Sequence, residues 1–363
     1  FEGGTFSADE TRLLVGSDET GIFNLYEITL ADGAKKQLTT STVESYYPVD
    51  YVPGMSALIY SADKGGNEID HLYLLEDNGK TTDLTPGENN KVSFFKWSED
   101  KKSMFYISNI RDPKYFDVYK MNIGEWIPTL FYENKSGLDV NEISDDEKTL
   151  VVSKTVTTSE NELYLVNKET GTQTELSLPD QKGRYGVSGF SKDNKYVFYL
   201  TDGGKEFTYL VQYDMNSGER KVLYETNWDV MYTFLSEKET YRVIAINEDG
   251  KNTIIMQDAA SGKTIDFPAI PDGDILGVEI SDSEKLMRLS VGTSKAPNNI
   301  YLYNLETKEL KKLTESLNKE INADDLVSAE VVRYKSFDGL DIPAIYYKPH
   351  QASPEQKVPA LVW

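Results

Sequence analysis

Lys96-Trp97-Ser98-Glu99-Asp100-Lys101-Lys102-Ser103-Met104-Phe105-Tyr106-Ile107-Ser108 is an apolar run ending in Ser, a short acidic and Lys-rich turn, and a second apolar run leaving it. Ser and Asp suit a tight turn because their side chains hydrogen-bond nearby backbone groups. The stretch therefore reads as one β-hairpin. Its turn recurs at Ser7-Ala8-Asp9-Glu10, Ser144-Asp145-Asp146-Glu147, Ser191-Lys192-Asp193-Asn194, Ser236-Glu237-Lys238-Glu239 and Ser281-Asp282-Ser283-Glu284, with Val52-Pro53-Gly54-Met55 as a degenerate copy. The lead positions 7, 52, 98, 144, 191, 236 and 281 are spaced by 45, 46, 46, 47, 45 and 45 residues, giving seven copies.

Two further markers keep the same period. A Leu-Tyr-like pair follows each turn, at Leu25-Tyr26, Leu72-Tyr73, Val118-Tyr119, Leu163-Tyr164, Leu210-Val211, Ile254-Ile255 and Ile300-Tyr301, and a pair such as Leu38-Thr39 or Leu313-Thr314 closes each unit. Repeats of about 40 to 50 residues built from four short strands are β-propeller blades. Such a sheet cannot bury both faces alone, so it stacks radially until a ring closes. The expected fold is all-β: a seven-bladed propeller of four-stranded antiparallel blades over residues 1–314. Blade 6 reads as the most degenerate copy. Because blades 1 and 7 both look complete, closure is expected through side-chain packing, without exchange of a terminal strand.

Of the 363 residues, 39% are hydrophobic and 12% aromatic, enough for a sizeable core. Lys and Arg number 38 against 60 Asp and Glu, a formal charge of −22. A phosphate backbone is repelled by such a surface, which argues against nucleic acid as a partner. The acidity reads as a solubility device for a salty or extracellular setting, and a periplasmic or secreted location is favoured over the cytoplasm. There is no cysteine, which removes disulfides, thiolate metal sites and a Cys nucleophile. No apolar run approaches the roughly 18 residues of a membrane span, so no membrane partner is expected, and no stretch of residues 1–363 reads as a signal peptide. The chain enters blade 1 directly from Phe1, from which a removed upstream segment is expected.

Two loops between second and third strands hold polar clusters. In blade 2, Asp63, Glu68, Asp70 and His71 surround a Gly65-Gly66 pair; their spacing matches no metal motif, and an ordinary loop is the favoured reading. No cofactor motif is present. In blade 3, Ser108-Asn109-Ile110-Arg111-Asp112-Pro113-Lys114-Tyr115-Phe116-Asp117 carries Arg111, whose planar fork of donors could grip a substrate carboxylate or carbonyl. The competing reading pairs Arg111 with Asp112 or Asp117 to fix the loop, and it is favoured because structural ion pairs outnumber binding arginines. Trp126 and Trp228 read as blade-packing aromatics.

After Thr314 the period stops. Residues 315–330 read as a polar, partly helical connector. Val331 to Phe337 is then expected as a strand, Asp338-Gly339 as a tight turn, Leu340 to Tyr347 as the returning strand, and Pro359-Ala360-Leu361-Val362-Trp363 as the start of a third.

The segment YKSFDGLDIPAIYYKP, residues 334–349, followed by KVPALVW, residues 357–363, resembles the opening of the α/β-hydrolase domain in prolyl oligopeptidase family serine peptidases. That family places a seven-bladed propeller before the hydrolase, the order read here. The resemblance implies that residues 331–363 are the first strands of a truncated catalytic domain. It also implies that the partner of the propeller is that C-terminal domain and that the substrate is a short peptide. The family's His-Gly-Gly-Pro-like oxyanion loop, Gly-x-Ser-x-Gly elbow, Asp and His are missing, and Gly186-Val187-Ser188-Gly189-Phe190 fails the elbow spacing. No catalytic residue is carried over, and the chain is expected to be inert alone. Arg111 is retained as the substrate-contact candidate because the family presents side chains from loops between second and third strands. The paired Glu motif of dipeptidyl peptidases is not recognisable, so the expectation is oligopeptidase or acylaminoacyl-peptidase-like activity. The alternatives are a stand-alone TolB-like protein-binding propeller, which leaves residues 331–363 unexplained, and a propeller glycosidase, which no motif supports.

Overall fold

The repeated Ser fixes each first turn twice. Its carbonyl accepts from the N–H three residues on, at 2.7 Å from Glu10 and 2.8 Å from Lys101, Glu147, Asn194, Glu239 and Glu284. Its Oγ accepts from the N–H five residues on, at 2.9 to 3.2 Å in all six Ser-led turns. The fourth turn residue is left-handed each time, with φ between 52° and 62°. Blade 2 makes its turn with Pro53 and left-handed Gly54 (φ 72°), the arrangement of a type II turn.

The computed structural model describes residues 1–270 and 273–362. Each turn joins the first two strands of a four-stranded antiparallel sheet, and seven such sheets span 2–37, 47–83, 92–132, 139–175, 185–224, 229–265 and 274–312. The protein is a seven-bladed β-propeller. Each sheet uses four consecutive strands, so among the described residues none is shared between the chain ends. Blade 6, expected to be the least regular, turns as the others do, because Ser236 Oγ and left-handed Glu239 make the same contacts. Lys238 in place of Asp removes the bond from Ser Oγ to Asp and the bond to that Asp from the N–H two residues on, both found in blades 1, 3, 4 and 5. Its irregularity lies in an outermost strand of two residues, Thr264–Ile265.

Alternation along the strands distributes the core. In blade 1, Leu13 and Val15 face blade 7, where they join Ile300 and Leu313, whereas Leu14 faces blade 2 and packs with Leu58 and Tyr60. Seven apolar clusters fill the seven junctions. Trp126 packs on the cluster between blades 2 and 3.

Four junctions also carry a clasp in which the left-handed turn residue reaches back to the preceding blade's turn. Asn194 Oδ1 accepts from Asp145 N (3.1 Å), Glu239 Oε1 from Lys192 N (2.8 Å) and Glu284 Oε1 from Lys238 N (2.8 Å). At the ring's seam, Glu10 Oε1 accepts from Ser283 N (2.7 Å). Ser281 Oγ donates to the same carboxylate (3.0 Å), and Lys311 Nζ donates to the carbonyls of Leu30 (3.1 Å) and Ala31 (2.6 Å). Blades 7 and 1 thus meet as internal blades do.

Beyond blade 7 a single 3-10 turn, Ala323–Asp325, is capped by Asn322. Strands Ala329–Lys335 and Asp341–Tyr347 pair in unbroken register, closed by left-handed Gly339 (φ 90°). The third strand expected at 359–363 does not form over residues 359–362, and Trp363 lies outside the described residues. A strand needs a neighbour for its backbone groups, and among the described residues none pairs with this segment.

Candidate functional site

The ring has two different faces. One carries the Ser-led turns, and the other carries the connections between second and third strands. The hairpin 329–347 stands on the second face, over blades 6 and 7. The Arg333 guanidinium pairs with Asp249 in the blade 6 loop, and Ala329 N donates to Ser294 Oγ (3.0 Å) in the blade 7 loop. Ile345 lies against Gly250, where an added Cβ would meet its Cδ1 at 3.3 Å. A cavity of about 350 Å³ separates the hairpin from these blades. Much of the hairpin's apolar surface is open, including Val331, Val332, Tyr334, Ile345 and Tyr346, and Phe337 at its tip is fully exposed.

Arg111 lies on the same face. Its Nε donates to Asp117 Oδ2 (2.6 Å), and Nη2 donates to Asp117 Oδ1 (3.0 Å) and to the Asn134 carbonyl (3.0 Å). Asp117 is fully buried and also accepts from Asn134 N (2.7 Å). The hydrogen bonds to Asp117 raise the guanidinium's pKa further. This fork ties the blade 3 loop to the link into blade 4, and leaves Nη1 with the long 3.7 Å approach of Glu133.

The blade 2 cluster does not converge. His71 Nδ1 lies 2.8 Å from Asp83 Oδ2 and Nε2 2.9 Å from the Gly87 carbonyl, so both ring nitrogens are engaged, while Asp63 accepts from Glu68 N (2.8 Å). Among the described residues no three His, Cys, Asp or Glu side chains group as a metal site. Ser188, from the near-miss elbow, sits at an irregularity in the innermost strand of blade 5, and His350 is exposed near the chain's end.

The channel holds charged groups that the sequence reading did not single out. Two residues before each turn's lead position, the innermost strands present Thr5, Asp50, Lys96, Glu142, Gly189, Phe234 and Glu279. Asp50 accepts from Trp97 Nε1 (2.8 Å), Tyr51 N (2.7 Å) and Thr5 Oγ1 (3.1 Å), yet burial raises its pKa. Burial pushes Glu279 up to about 7, with nearby Asp50 reinforcing and Arg288, 3.3 Å away, opposing. Burial disfavours the Lys96 ammonium, but Glu142 (3.2 Å) and Asp145 (3.3 Å) outweigh it and raise its pKa. A cavity of about 270 Å³ at the turn-face mouth is lined by Asp50, Trp97, Lys101 and Glu279. The signal for these residues was the fixed offset from the turn.

The sequence matches the family description "Prolyl oligopeptidase, N-terminal beta-propeller domain" over residues 50–316. The chain belongs to the prolyl oligopeptidase family. No curated protein matches it in sequence. Solved structures share the fold: a prolyl endopeptidase studied for inter-domain dynamics (17% identity, TM-score 0.72, covering 95% of this chain and 53% of that one) and prolyl oligopeptidase B from Galerina marginata without ligand (14%, 0.70, 95% and 55%). A Mycobacterium tuberculosis puromycin-hydrolyzing peptidase is similar too (12%, 0.72, 98% and 60%). The chain spans little more than half the length of these proteins.

Proposed function

We propose that this prolyl oligopeptidase family propeller is the substrate-gating part of a serine peptidase that hydrolyses short peptides, with oligopeptidase or acylaminoacyl-peptidase-like specificity. In this reading residues 1–314 are the propeller, 315–330 the connector and 331–363 the first strands of the α/β-hydrolase domain. The observation that carries it is the hairpin, a two-stranded sheet fixed by one end to the loops of blades 6 and 7 with its apolar side chains uncovered. A pair of strands on its own is marginal in water, and a larger sheet continuing from it would cover those side chains. A stand-alone protein-binding propeller gives the hairpin no role.

Arg111 then faces the space between ring and hydrolase. Its Nη1 edge is the substrate-contact candidate, aimed by the fork to Asp117. The test compares residues 1–363 with the full-length gene product on peptide and ester substrates. Turnover by the full-length protein alone, blocked by a serine-directed phosphonate, is expected. Hydrolysis by residues 1–363 would overturn the assignment.

A further inference from the structure

Counted from the lead residue of each first turn, the sixth residue on has one setting in every blade. It pairs with the last residue of the innermost strand, as Leu13 with Phe6, Met104 with Trp97 and Met287 with Ile280, and it faces the preceding blade. Six blades use Leu13, Leu58, Met104, Leu150, Val197 and Met287, none more than 5% exposed. Blade 6 places Arg242 there, 6% exposed and opposite Leu235.

An arginine in a slot that is otherwise a core position breaks the local rule, and such breaks mark functional sites. The Arg242 guanidinium lies 4.4 Å from the ring centre of Phe198 in blade 5. Among the described residues it makes no hydrogen bond to a protein acceptor and has no carboxylate within ion-pair distance; burial pushes its pKa down to about 10, with only a distant pull from Glu239. Burying an unpaired cation is costly, and the apolar cluster at this junction is small: its buried members among the described residues are Val230, Ile244 and Ile246.

A cavity of about 190 Å³ opens in front of Arg242 on the channel wall. Its apolar side is Phe190, Phe234 and Leu235, and its carboxylates, Glu142 and Asp145, are both engaged by Lys96. Gly189 (φ 126°) forms an open part of the wall, with no atom within 4 Å of an added Cβ. The volume is the liquid share of roughly six waters, room for a benzoate-sized molecule.

We propose that this cavity is a carboxylate site, in which Arg242 forks onto the anion and the phenylalanine wall takes an apolar body. The site rests on the propeller alone and does not depend on the peptidase reading. The forked pairing and the aromatic stacking of the same guanidinium require arginine rather than a point charge.

Thermal unfolding of the full chain with sodium benzoate, against sodium chloride at equal ionic strength, tests it. A saturable rise in Tm with benzoate and none with chloride is expected. Arg242→Gln should weaken benzoate binding roughly ten- to hundredfold, the loss of a charged hydrogen-bonding group, and Arg242→Lys should restore only part of it. Equal responses to the two salts, or a benzoate response retained in Arg242→Gln, would overturn the site. An equal response to inorganic phosphate would overturn the role given to the apolar wall. Should the variants fail to fold, titrating the wild type with benzoate and following its guanidinium nitrogen resonances decides the matter: one buried guanidinium must move, and none moving rejects the proposal.

Discussion

Glu279 shows what a single side chain can report about the channel. Burial lifts its pKa from 4.5 to about 7, although about a third of its side-chain surface faces the channel. Below pH 4.5 folded and unfolded chains both hold this proton. Between 4.5 and 7 only the folded chain keeps it, so stability falls as pH rises through that window, and above 7 the penalty is complete. With the channel water discounted, the loss is on the order of 1–2 kcal/mol. Glu279→Gln should flatten the decline between pH 4.5 and 7 in denaturation midpoints, leaving the part due to Asp50, whose pKa is also raised. An unchanged slope would show that Glu279 titrates as if exposed. Asp9 and Asp193, held near 2 by Ser7 and Thr11 and by Lys195 and Ser191, act in the opposite sense and in a separate, more acidic window. Glu279, Asp50 and Arg242 all occupy fixed offsets from the turn, so the aligned repeats contain them. Their meaning depends on which sheet face meets the channel and which the next blade, and that is a property of the assembled ring.

At the level of elements, the blades were legible because each is encoded locally, by a Ser whose side chain and carbonyl close a turn and by alternating strands on either side of it. The hairpin was equally legible from Asp338-Gly339 and its flanking apolar runs. Residues 359–362 read as a strand and are not one, since a single apolar run carries no information about a neighbour to pair with. Nor could spacing decide between Asp112 and Asp117 for Arg111, because both lie within reach along a loop; the choice follows from Asp117 being buried where the blade 3 loop meets the link to blade 4. The hairpin's seat on blades 6 and 7 depends on contacts distant in sequence, above all Arg333 with Asp249. Both partners are partly exposed, so the pair is worth at most about 1 kcal/mol. Arg333→Ala should speed hydrogen exchange in residues 329–347 by up to roughly fivefold, the same energy expressed as a rate, while the Tm of the ring stays put. If exchange in the hairpin does not change, Ala329, Ser294 and Ile345 hold it without the ion pair.

For the molecule as a whole, the question is what keeps seven separately complete sheets in one closed ring. Between blades 5 and 6 the backbone itself keeps the neighbours together, and the clasp from Glu239 to Lys192 N adds to a junction that could not separate far without it. Blades 7 and 1 have no such tether, and no strand of the described residues crosses between them. Their union rests on the Leu13, Val15, Ile28, Ile300 and Leu313 cluster, on Lys311, and on the Glu10 carboxylate that serves Ser281 and Ser283 together. A hydrogen bond at a junction that the chain already closes restrains little, whereas one at an untethered junction opposes the entropy of opening the ring. Glu10→Ala should therefore cost about 1–2 kcal/mol and raise hydrogen exchange in the innermost strands of blades 1 and 7 together. Glu239→Ala should cost less and act only between blades 5 and 6. Glu10→Ala removes two hydroxyl bonds as well as the backbone bond, whereas Glu239→Ala removes the backbone bond alone, so even an equal loss of stability would mean that the seam behaves as a tethered junction, with the apolar cluster sufficient to close it.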